Sequence, residues 1–525
     1  MLSENGIRYV IGSPGSRNFP LLAAFDRNPE LRLEMIVDER SAAFSALGIA
    51  TVKNEPVAVC CTSGSAMLNY GPAVAEAYYR NIPLLVVTAD RPAECLGNGE
   101  PQMIDQTLPL SGIVEGVFDI NSNDNADVVE RKCHDAIAKM KESSRPVQLN
   151  VRFAEPMDVA SEHDICEVKA DRIKDIIAPD SFSTALTRDL GKRLMAPVKV
   201  LVYVGQNRPD HKLSEAIRYM ATRPNIAVVA ETISNLNDCN EAIYGIERLL
   251  NNMSREEKQK MCPDILISIG GSPTGRLFRE YIKEYFTGEV WRIGQDREQN
   301  DFYGKTTLRI VADMTRSMRQ LTSALKIDKG ISEYARSWNR LPMGELSNDA
   351  RVMERIMAAI PQEANVALSN GTTVRYATLL RPRHHRYDSN RGVNGIDGSS
   401  STAIGASWAY SGKTVLVTGD MSACYDMSAW VNPLITERFK VIVIDNSGGG
   451  IFRKVKPAST EPECEKLACC SHIRIALDRI ASSCGMDTYK VDADGDIEKC
   501  VTEMYESPAA AMLIVKIDSK QPNNR

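Results

Sequence analysis

The 525-residue chain has little of what marks several protein classes. No apolar run approaches the roughly 18 residues that a membrane-spanning helix needs. The first residues, MLSENGIRYVIGSPGS, lack the basic start, apolar core and small-residue cleavage site of a secretory leader. Basic charge is not in excess: 63 Lys and Arg stand against 68 Asp and Glu, a net of −5, which argues against a nucleic-acid footprint at whole-chain level. Anionic ligands would need local arginines. Histidine is scarce, six in all with no HExxH pair, and His384-His385 sits in RPRHHR, predicted to be a solvated surface loop. The 13 cysteines include no pair at zinc-finger CxxC spacing. Cys60-Cys61 and Cys469-Cys470 lie in apolar surroundings, so buried, reduced thiols and a cytoplasmic enzyme are expected. Short-period repeats and low-complexity tracts are absent as well.

What is present is an alternation of short Val/Ile-rich runs with stretches at helical spacing. RYVIGS (8–13), LEMIVDE (33–39), PVAVCCTSG (56–64), PLLVVTADR (83–91) and PVQLNVRF (146–153) form a first set of strands. PVKVLVYVG (197–205), NIAVVAE (225–231), DILISIGG (264–271) and EVWRIGQ (289–295) form a second, and NVALSNG (365–371), KTVLVTGD (413–420), FKVIVIDN (439–446) and AAMLIVKID (510–518) a third. Continuous apolar strands alternating with helices predict α/β domains built on parallel sheets. A charged, irregular stretch over 155–192 reads as a linker, and a polar, helix-forming stretch over 314–350 as a second break. Three α/β domains follow, over 1–165, 180–325 and 345–525. Ligands in such domains sit beyond the carboxyl ends of strands. Those ends read SPGSR, DER, TSG, TADR, SNG, TGD and DNSGGG, nearly all from the first and third sets, which places the expected site between those two domains.

Two of these ends stand out. Gly419-Asp420-Met421-Ser422-Ala423 joins a strand to a helix, with Asp420 lying 26 residues before Asn446 of the DNSGGG loop. Glycine lets a ligand approach the backbone, and free amides at a helix start favour phosphate. Asp420 beside phosphate is repulsive unless a cation lies between them. Asp420, Asn446 and a carbonyl near Gly448 offer the hard oxygen ligands that Mg²⁺ prefers. Taken alone, GD and DNSGGG can equally be two ordinary turns.

The spacing resembles the thiamine-diphosphate signature, a GD dipeptide followed by an Asn-containing loop. In such enzymes a glutamate at a strand end hydrogen-bonds N1′ of the cofactor's aminopyrimidine, and VDERSAAF puts Glu39 in that setting. SPGSRNFPL (13–21), VDERSAAF (37–44), TSGSAMLNYGPAVAEAYY (62–79), TADRPAE (88–94), SNRGVNGIDGSSSTAIG (389–405) and GDMSACYD (419–426) are together similar to the MenD family, the 2-succinyl-5-enolpyruvyl-6-hydroxy-3-cyclohexene-1-carboxylate synthases. The likeness runs nearly end to end and is weakest in the middle domain. It implies a thiamine-diphosphate fold of pyrimidine, central and diphosphate domains, with Mg²⁺ or Mn²⁺. The implied transferase reaction decarboxylates 2-oxoglutarate and adds the succinyl group to isochorismate by a Stetter-like 1,4-addition, in menaquinone biosynthesis. It also implies a homodimer or homotetramer with sites at the subunit interface, and no nucleic-acid or membrane partner.

By motif, the resemblance assigns Glu39, Gln102 and Arg391 to catalysis. It assigns Gly371, Ile396, Gly419, Asp420, Met421, Ser422, Ala423, Asn446 and Gly448 to the cofactor beside Glu39, with Asp420, Asn446 and Gly448 on the metal. Ser16, Arg17, Arg91 and Arg276 fall on the isochorismate side, and Arg375 near Asn370 on the far carboxylate of 2-oxoglutarate. Arg391 suits either substrate, and Phe452 the apolar wall. Guanidinium is suited to dicarboxylates because its fork matches a carboxylate in two bonds. The chain departs from the family at Asp445, where a second Asn is usual, and at Arg276, often Lys. It also begins at or near its first strand. VYVGQNRPD resembles the nucleotide-binding domain of acetolactate synthases, but no GxGxxG is present and no flavin is assigned. Two rival readings are another thiamine-dependent decarboxylase or carboligase, which leaves SPGSR and SNRG unexplained, and a non-catalytic protein on a degenerate fold, which predicts loss of Glu39, Asp420 or Asn446.

Overall fold

A computed structural model describes the chain except residues 156–181, 237–238, 296–300, 326–332, 384, 455–457, 473–474 and 518–525. The expected boundary between 165 and 180 lies outside the described residues. The described residues form three sheets. The first holds β1 (Tyr9–Gly12), β2 (Arg32–Met35), β3 (Val57–Cys61), β4 (Leu84–Asp90), β5 (Val117–Ile120) and β6 (Val147–Arg152). The second holds β7 (Val200–Val204), β8 (Ile226–Ala230), β9 (Ile265–Ile269), β10 (Glu289–Gly294) and β11 (Thr306–Val311). The third holds β12 (Asn365–Leu368), β13 (Arg386–Asp388), β14 (Thr414–Gly419), β15 (Phe439–Asp445), β16 (Asp487–Asp492) and β17 (Ala511–Lys516). Every strand pairing is parallel, as the continuous apolar runs predicted.

The first sheet runs β2-β1-β3-β4-β6-β5 and the third β13-β12-β14-β15-β17-β16, the same order twice; the second runs β11-β10-β9-β7-β8. In each, strand order reverses beside the first strand of the set, so the switch points lie at β1/β3, β7/β9 and β12/β14. The middle one is filled by backbone: a Cβ placed on Gly205 would lie 2.1 Å from the Gly271 carbonyl oxygen.

The first and third sheets share one hydrophobic core, which runs from Ile11 and Val59 through Leu47 and Ile404 to Leu416 and Val443. Its seam is the crossing of two helices, Glu39–Lys53 and Ser399–Ala409. Both are rich in Ala, Ser and Gly and buried on nearly every face, so their backbones approach closely. A Cβ on Gly48 would lie 2.0 Å from the Thr402 carbonyl oxygen, and one on Gly405 would lie 2.1 Å from that of Ser45. Ser41 Oγ and Ser401 Oγ are 2.9 Å apart across the seam, and Asn432 Nδ2 donates to Ser45 Oγ at 3.0 Å. Gly405→Ala should therefore destabilise the protein. Helix propensity favours alanine by about 1 kcal/mol, but a clash with backbone that cannot rotate away costs roughly 1–3 kcal/mol or more. A lower denaturant midpoint is expected, and an unchanged or raised one would refute this account of the seam.

Three expectations are corrected. Part of the supposed linker is a helix, Thr184–Leu194, capped by Ser183, whose side chain accepts from Leu186 N–H; it buries Leu190 and Leu194 in the second domain's core. RPRHHR is not a solvated loop: His385 is only 3% exposed, and the segment runs into β13, with Arg386 Nη2 bonded to the Thr51 carbonyl at 2.9 Å. The cysteines of the described residues are unbridged as expected, but only Cys60, Cys61, Cys239, Cys464 and Cys469 are buried, and Cys470 is half-exposed. No helix among the described residues is long and apolar enough to cross a membrane.

Candidate active site

The third sheet's switch point gathers most of the residues expected at the cofactor. β12 ends at Leu368 and leads through Ser369-Asn370 to Gly371, while β14 ends at Gly419. Gly371 has φ 96° and ψ −132°, a conformation that only glycine adopts readily. A Cβ on Gly371 or on Gly419 would meet nothing within 4 Å. Space is thus open at both strand ends, where a ligand belongs in such a sheet.

Pairing register explains the charge beside it. Gly419 lies opposite Ile444 of β15, so the next residues, Asp420 and Asp445, become neighbours. Burial and the Asp445 charge push the Asp420 carboxyl up to about 6, although the Gly448 and Met421 amides favour its anion. Asp420 Oδ2 accepts from Gly448 N–H at 2.7 Å. Gly448 has φ 120°, and a Cβ there would lie 2.3 Å from the Cys469 carbonyl oxygen, so the loop needs glycine. Arg453 braces the same loop through the Asn446 carbonyl at 3.0 Å. Asn446 is buried beside Gly450. Two crowded carboxylate groups and an amide oxygen form an oxygen donor set that a hard divalent cation would relieve. The described residues hold no cluster of three or more His, Cys, Asp or Glu suited to a metal; the set instead has the sparse form used by Mg²⁺ bound to phosphates. Ser422 Oγ donates to the Ile396 carbonyl at 2.6 Å, tying the helix start to NGIDG. Met421 is half-buried and Ala423 buried behind it. The residues present therefore fit a diphosphate and its cation.

Glu39 opens the seam helix, after Asp38, whose side chain caps that helix through Ser41 N–H at 3.1 Å. Desolvation raises the Glu39 carboxyl, and the Asp38 charge adds to this. Glu39 in turn acts on Cys61 and Tyr70 of the first domain. Asp420 is acted on by Asp445, Gly448 and Met421 of the third. Beside Glu39, Arg40 Nη2 reaches the Tyr425 carbonyl at 3.1 Å.

The arginines divide. Arg391 is 7% exposed: Nη1 donates to Asn370 Oδ1 at 3.0 Å, and Nε has no hydrogen-bond partner among the described residues. Arg375 donates to the Gly371 carbonyl. Burial lowers the pKa of both, and the Arg375 charge adds to the shift at Arg391. Two desolvated cations at one strand end suit an anionic ligand. At the first switch point, Gly15 packs on Thr62, where a Cβ would lie 2.3 Å from the Thr62 Cβ. Ser16 is exposed there, whereas Arg17 is buried and paired to Glu155 at 2.6 Å. Arg91 Nε donates to the Pro101 carbonyl at 3.0 Å, next to Gln102, which is exposed with φ 53°. Phe452 is exposed on the turn after the glycine loop. Arg276 stands apart, 77% exposed and facing Glu280 at 3.5 Å.

Sequence reasoning missed several polar residues that support these. Gln106, fully buried, accepts from Gly64 N–H at 2.8 Å and donates to the Ala89 carbonyl at 3.1 Å, which joins TSG to TADR. Glu231 accepts from Tyr203 OH at 2.6 Å and from Thr274 N–H at 2.7 Å, and its charge acts on Arg391. Glu76 reaches the SNRG loop. The one signal for it was a charged residue within the apolar face of AVAEAYY.

Residues 1–108 match the family described as "Thiamine pyrophosphate enzyme, N-terminal TPP binding domain", and residues 368–515 match "Thiamine pyrophosphate enzyme, C-terminal TPP binding domain". The chain is similar to the 2-succinyl-5-enolpyruvyl-6-hydroxy-3-cyclohexene-1-carboxylate synthase of Porphyromonas gingivalis, at 33% identity over 98% of this chain and 92% of the relative. It is also similar to proteins of the same name from Flavobacterium johnsoniae, 31% identical over 97% of this chain and 93% of the relative, and Christiangramia forsetii, 30% identical over 97% and 93%.

Proposed function

Because the chain belongs to the 2-succinyl-5-enolpyruvyl-6-hydroxy-3-cyclohexene-1-carboxylate synthase family, we propose that it is a thiamine-diphosphate-dependent transferase that decarboxylates 2-oxoglutarate and adds the succinyl group to isochorismate. The observation that carries this reading is a pair of strand ends open at Gly371 and Gly419, with Asp420 following the second and Arg375 and Arg391 bonded to Gly371 and Asn370 at the first. Thiamine diphosphate, when bound, supplies a nucleophilic carbon and an electron sink for the decarboxylation.

The chain's own residues do the rest. Asp420, Asn446 and the backbone at Gly448 hold Mg²⁺ or Mn²⁺, and the Gly419-to-Ala423 turn receives the diphosphate. Glu39, kept partly desolvated, would share a proton with the pyrimidine ring rather than remain a free anion. Ile396, its carbonyl held by Ser422, would pack against the cofactor and orient it. Arg375 and Asn370 take the far carboxylate of 2-oxoglutarate, and Arg391 a carboxylate of either substrate. Ser16, Arg17, Arg91 and Gln102 line the isochorismate side, and Arg17 exchanges Glu155 for substrate. Arg276 belongs to this set by motif alone. Phe452 closes the wall against water. The sheets are a pyrimidine domain (1–165), a central domain (180–325) and a diphosphate domain (345–525). The protein works in the cytoplasm as a homodimer or homotetramer, with Glu39 of one subunit facing Asp420 of the other.

The test is consumption of isochorismate by purified protein supplied with thiamine diphosphate, Mg²⁺ and 2-oxoglutarate. Loss of isochorismate absorbance that requires both substrates and the cofactor is expected. Release of CO₂ from pyruvate, with isochorismate untouched, would instead favour an acetolactate synthase or decarboxylase.

A further inference from the structure

The segment from Asp388 to Gly395 carries Arg391 and is gripped by all three domains. From the first, Arg80 Nη2 pairs with Asp388 Oδ1 at 2.6 Å. From the second, Gln206 Nε2 donates to Asp388 Oδ1 at 2.9 Å and to the Ser389 carbonyl at 2.7 Å. From the third, Asn370 Nδ2 donates to the carbonyls of Asn390 and Gly395, the latter at 2.7 Å, while its Oδ1 accepts from Arg391. The fourth grip is the least expected from sequence. Glu76, on the helix Gly71–Arg80, is 1% exposed among Ala73, Val74 and Ala77. Its Oε1 accepts from Gly392 N–H and its Oε2 from Val393 N–H, both at 2.8 Å. These amides immediately follow Arg391.

A carboxylate buried on an apolar helix face is costly unless its charge is answered. Here two amides answer it, with Arg80 Nε at 3.9 Å from Oε1. Burial still raises its pKa against those partners. The glycine of SNRG has a reason as well: a Cβ at Gly392 would lie 2.6 Å from the Glu76 carbonyl oxygen, so only glycine lets the loop come this close. Such a group on a surface-free face, bonded to a loop of another domain, does more than close a helix.

We propose that Glu76 is a positioning residue for Arg391: by holding the two amides that follow it, Glu76 fixes the direction in which the Arg391 guanidinium enters the site. This rests on the reading that Arg391 binds a substrate carboxylate. Glutamine at 76 keeps the shape but presents an N–H to one of the two amides, so the loop loses one anchor and gains a donor–donor contact.

The experiment measures kcat, both KM values and thiamine-diphosphate affinity for Glu76→Gln, Arg391→Ala and the double variant. Arg391→Ala is expected to raise KM for one substrate. Glu76→Gln should raise KM for that same substrate by roughly tenfold, as loss of an outer partner does, with kcat and cofactor affinity little changed. The double variant should be no worse than Arg391→Ala, because a residue acting through Arg391 has nothing left to position. Val393→Pro removes one donor while leaving the carboxylate in place, and should raise the same KM; it decides the matter should Glu76→Gln fail to fold. The proposal is overturned if Arg391→Ala raises a KM that Glu76→Gln and Val393→Pro leave alone, or if the effects multiply in the double variant. If Arg391→Ala leaves both KM values unchanged, the reading of Arg391 as a substrate residue fails, and this inference fails with it.

Discussion

Glu39→Gln is expected to lower kcat by roughly 10²–10⁴-fold, the span typical of a lost proton-transfer group, while thiamine diphosphate still binds. The two outcomes separate because the groups suited to the diphosphate lie at the ends of β14 and β15, in a different domain from Glu39. Stability should move the opposite way from activity. Desolvation raises the Glu39 carboxyl above its ordinary value, so the folded state binds its proton more tightly than the unfolded chain does. Stability then falls as pH rises from the ordinary carboxylate range through the raised value, and the full penalty is present above it. Glutamine carries no such penalty. Glu39→Gln should therefore melt no lower than the parent at neutral pH, and any advantage should vanish below the ordinary glutamate pKa. Retained turnover in the variant would remove Glu39 from the proton chemistry. A melting point well below the parent's at neutral pH would show that Glu39 is a structural carboxylate of the helix start.

Asp420→Asn should weaken cation-dependent retention of the cofactor. The amide keeps an oxygen for the Gly448 N–H and nearly the same shape, while the charge is lost and an NH2 replaces the second acceptor oxygen. Without that charge, the oxygen set has one fewer anionic ligand between cation and diphosphate, and apparent affinity for thiamine diphosphate in Mg²⁺ should fall by about 100-fold. In the absence of cofactor the same change removes the repulsion between Asp420 and Asp445, so the cofactor-free variant should melt at or above the parent. Titration of cofactor by protein fluorescence, with and without Mg²⁺, reads the first effect, and a thermal melt reads the second. Equal affinity in parent and variant would show that Asp420 is not a cation ligand.

The central strands of each sheet were legible because both of their faces are covered, which forces an unbroken apolar run such as LLVVTAD or FKVIVID. The four strands that the sequence did not reveal, β5, β11, β13 and β16, are all edge strands. β16 alternates polar and half-buried residues, and β13 is three residues long, starting inside RPRHHR. An edge strand is held by one neighbour and pressed on less of its surface, so its sequence carries a weaker pattern. The duplication of strand order between first and third sheets was equally hidden, since order depends on long crossovers rather than on the strands themselves. At the site, residues that touch the crevice through backbone geometry, such as Gly371, Gly419 and Gly448, were visible as punctuation at strand ends. The groups that aim them were not. Gln106, Glu231 and Glu76 lie 42, 160 and 316 residues from partners they hold or influence, Gly64, Arg391 and Gly392 respectively, and no local pattern marks such pairs. Arg276 shows the converse: a motif residue that this chain leaves in solvent.

Mixing Glu39→Gln protein with Asp420→Asn protein, each nearly inactive alone, tests the two-subunit site most directly. Where Glu39 of one subunit works with Asp420 of another, each mixed dimer has one site with both changes and one with neither. Random exchange of subunits should then restore activity to about one quarter of the parent's, because half of the dimers are mixed and half of their sites are intact. Exchange confirmed by differently tagged subunits, with no activity recovered, would mean that Glu39 and Asp420 do not complete one another across the subunit interface.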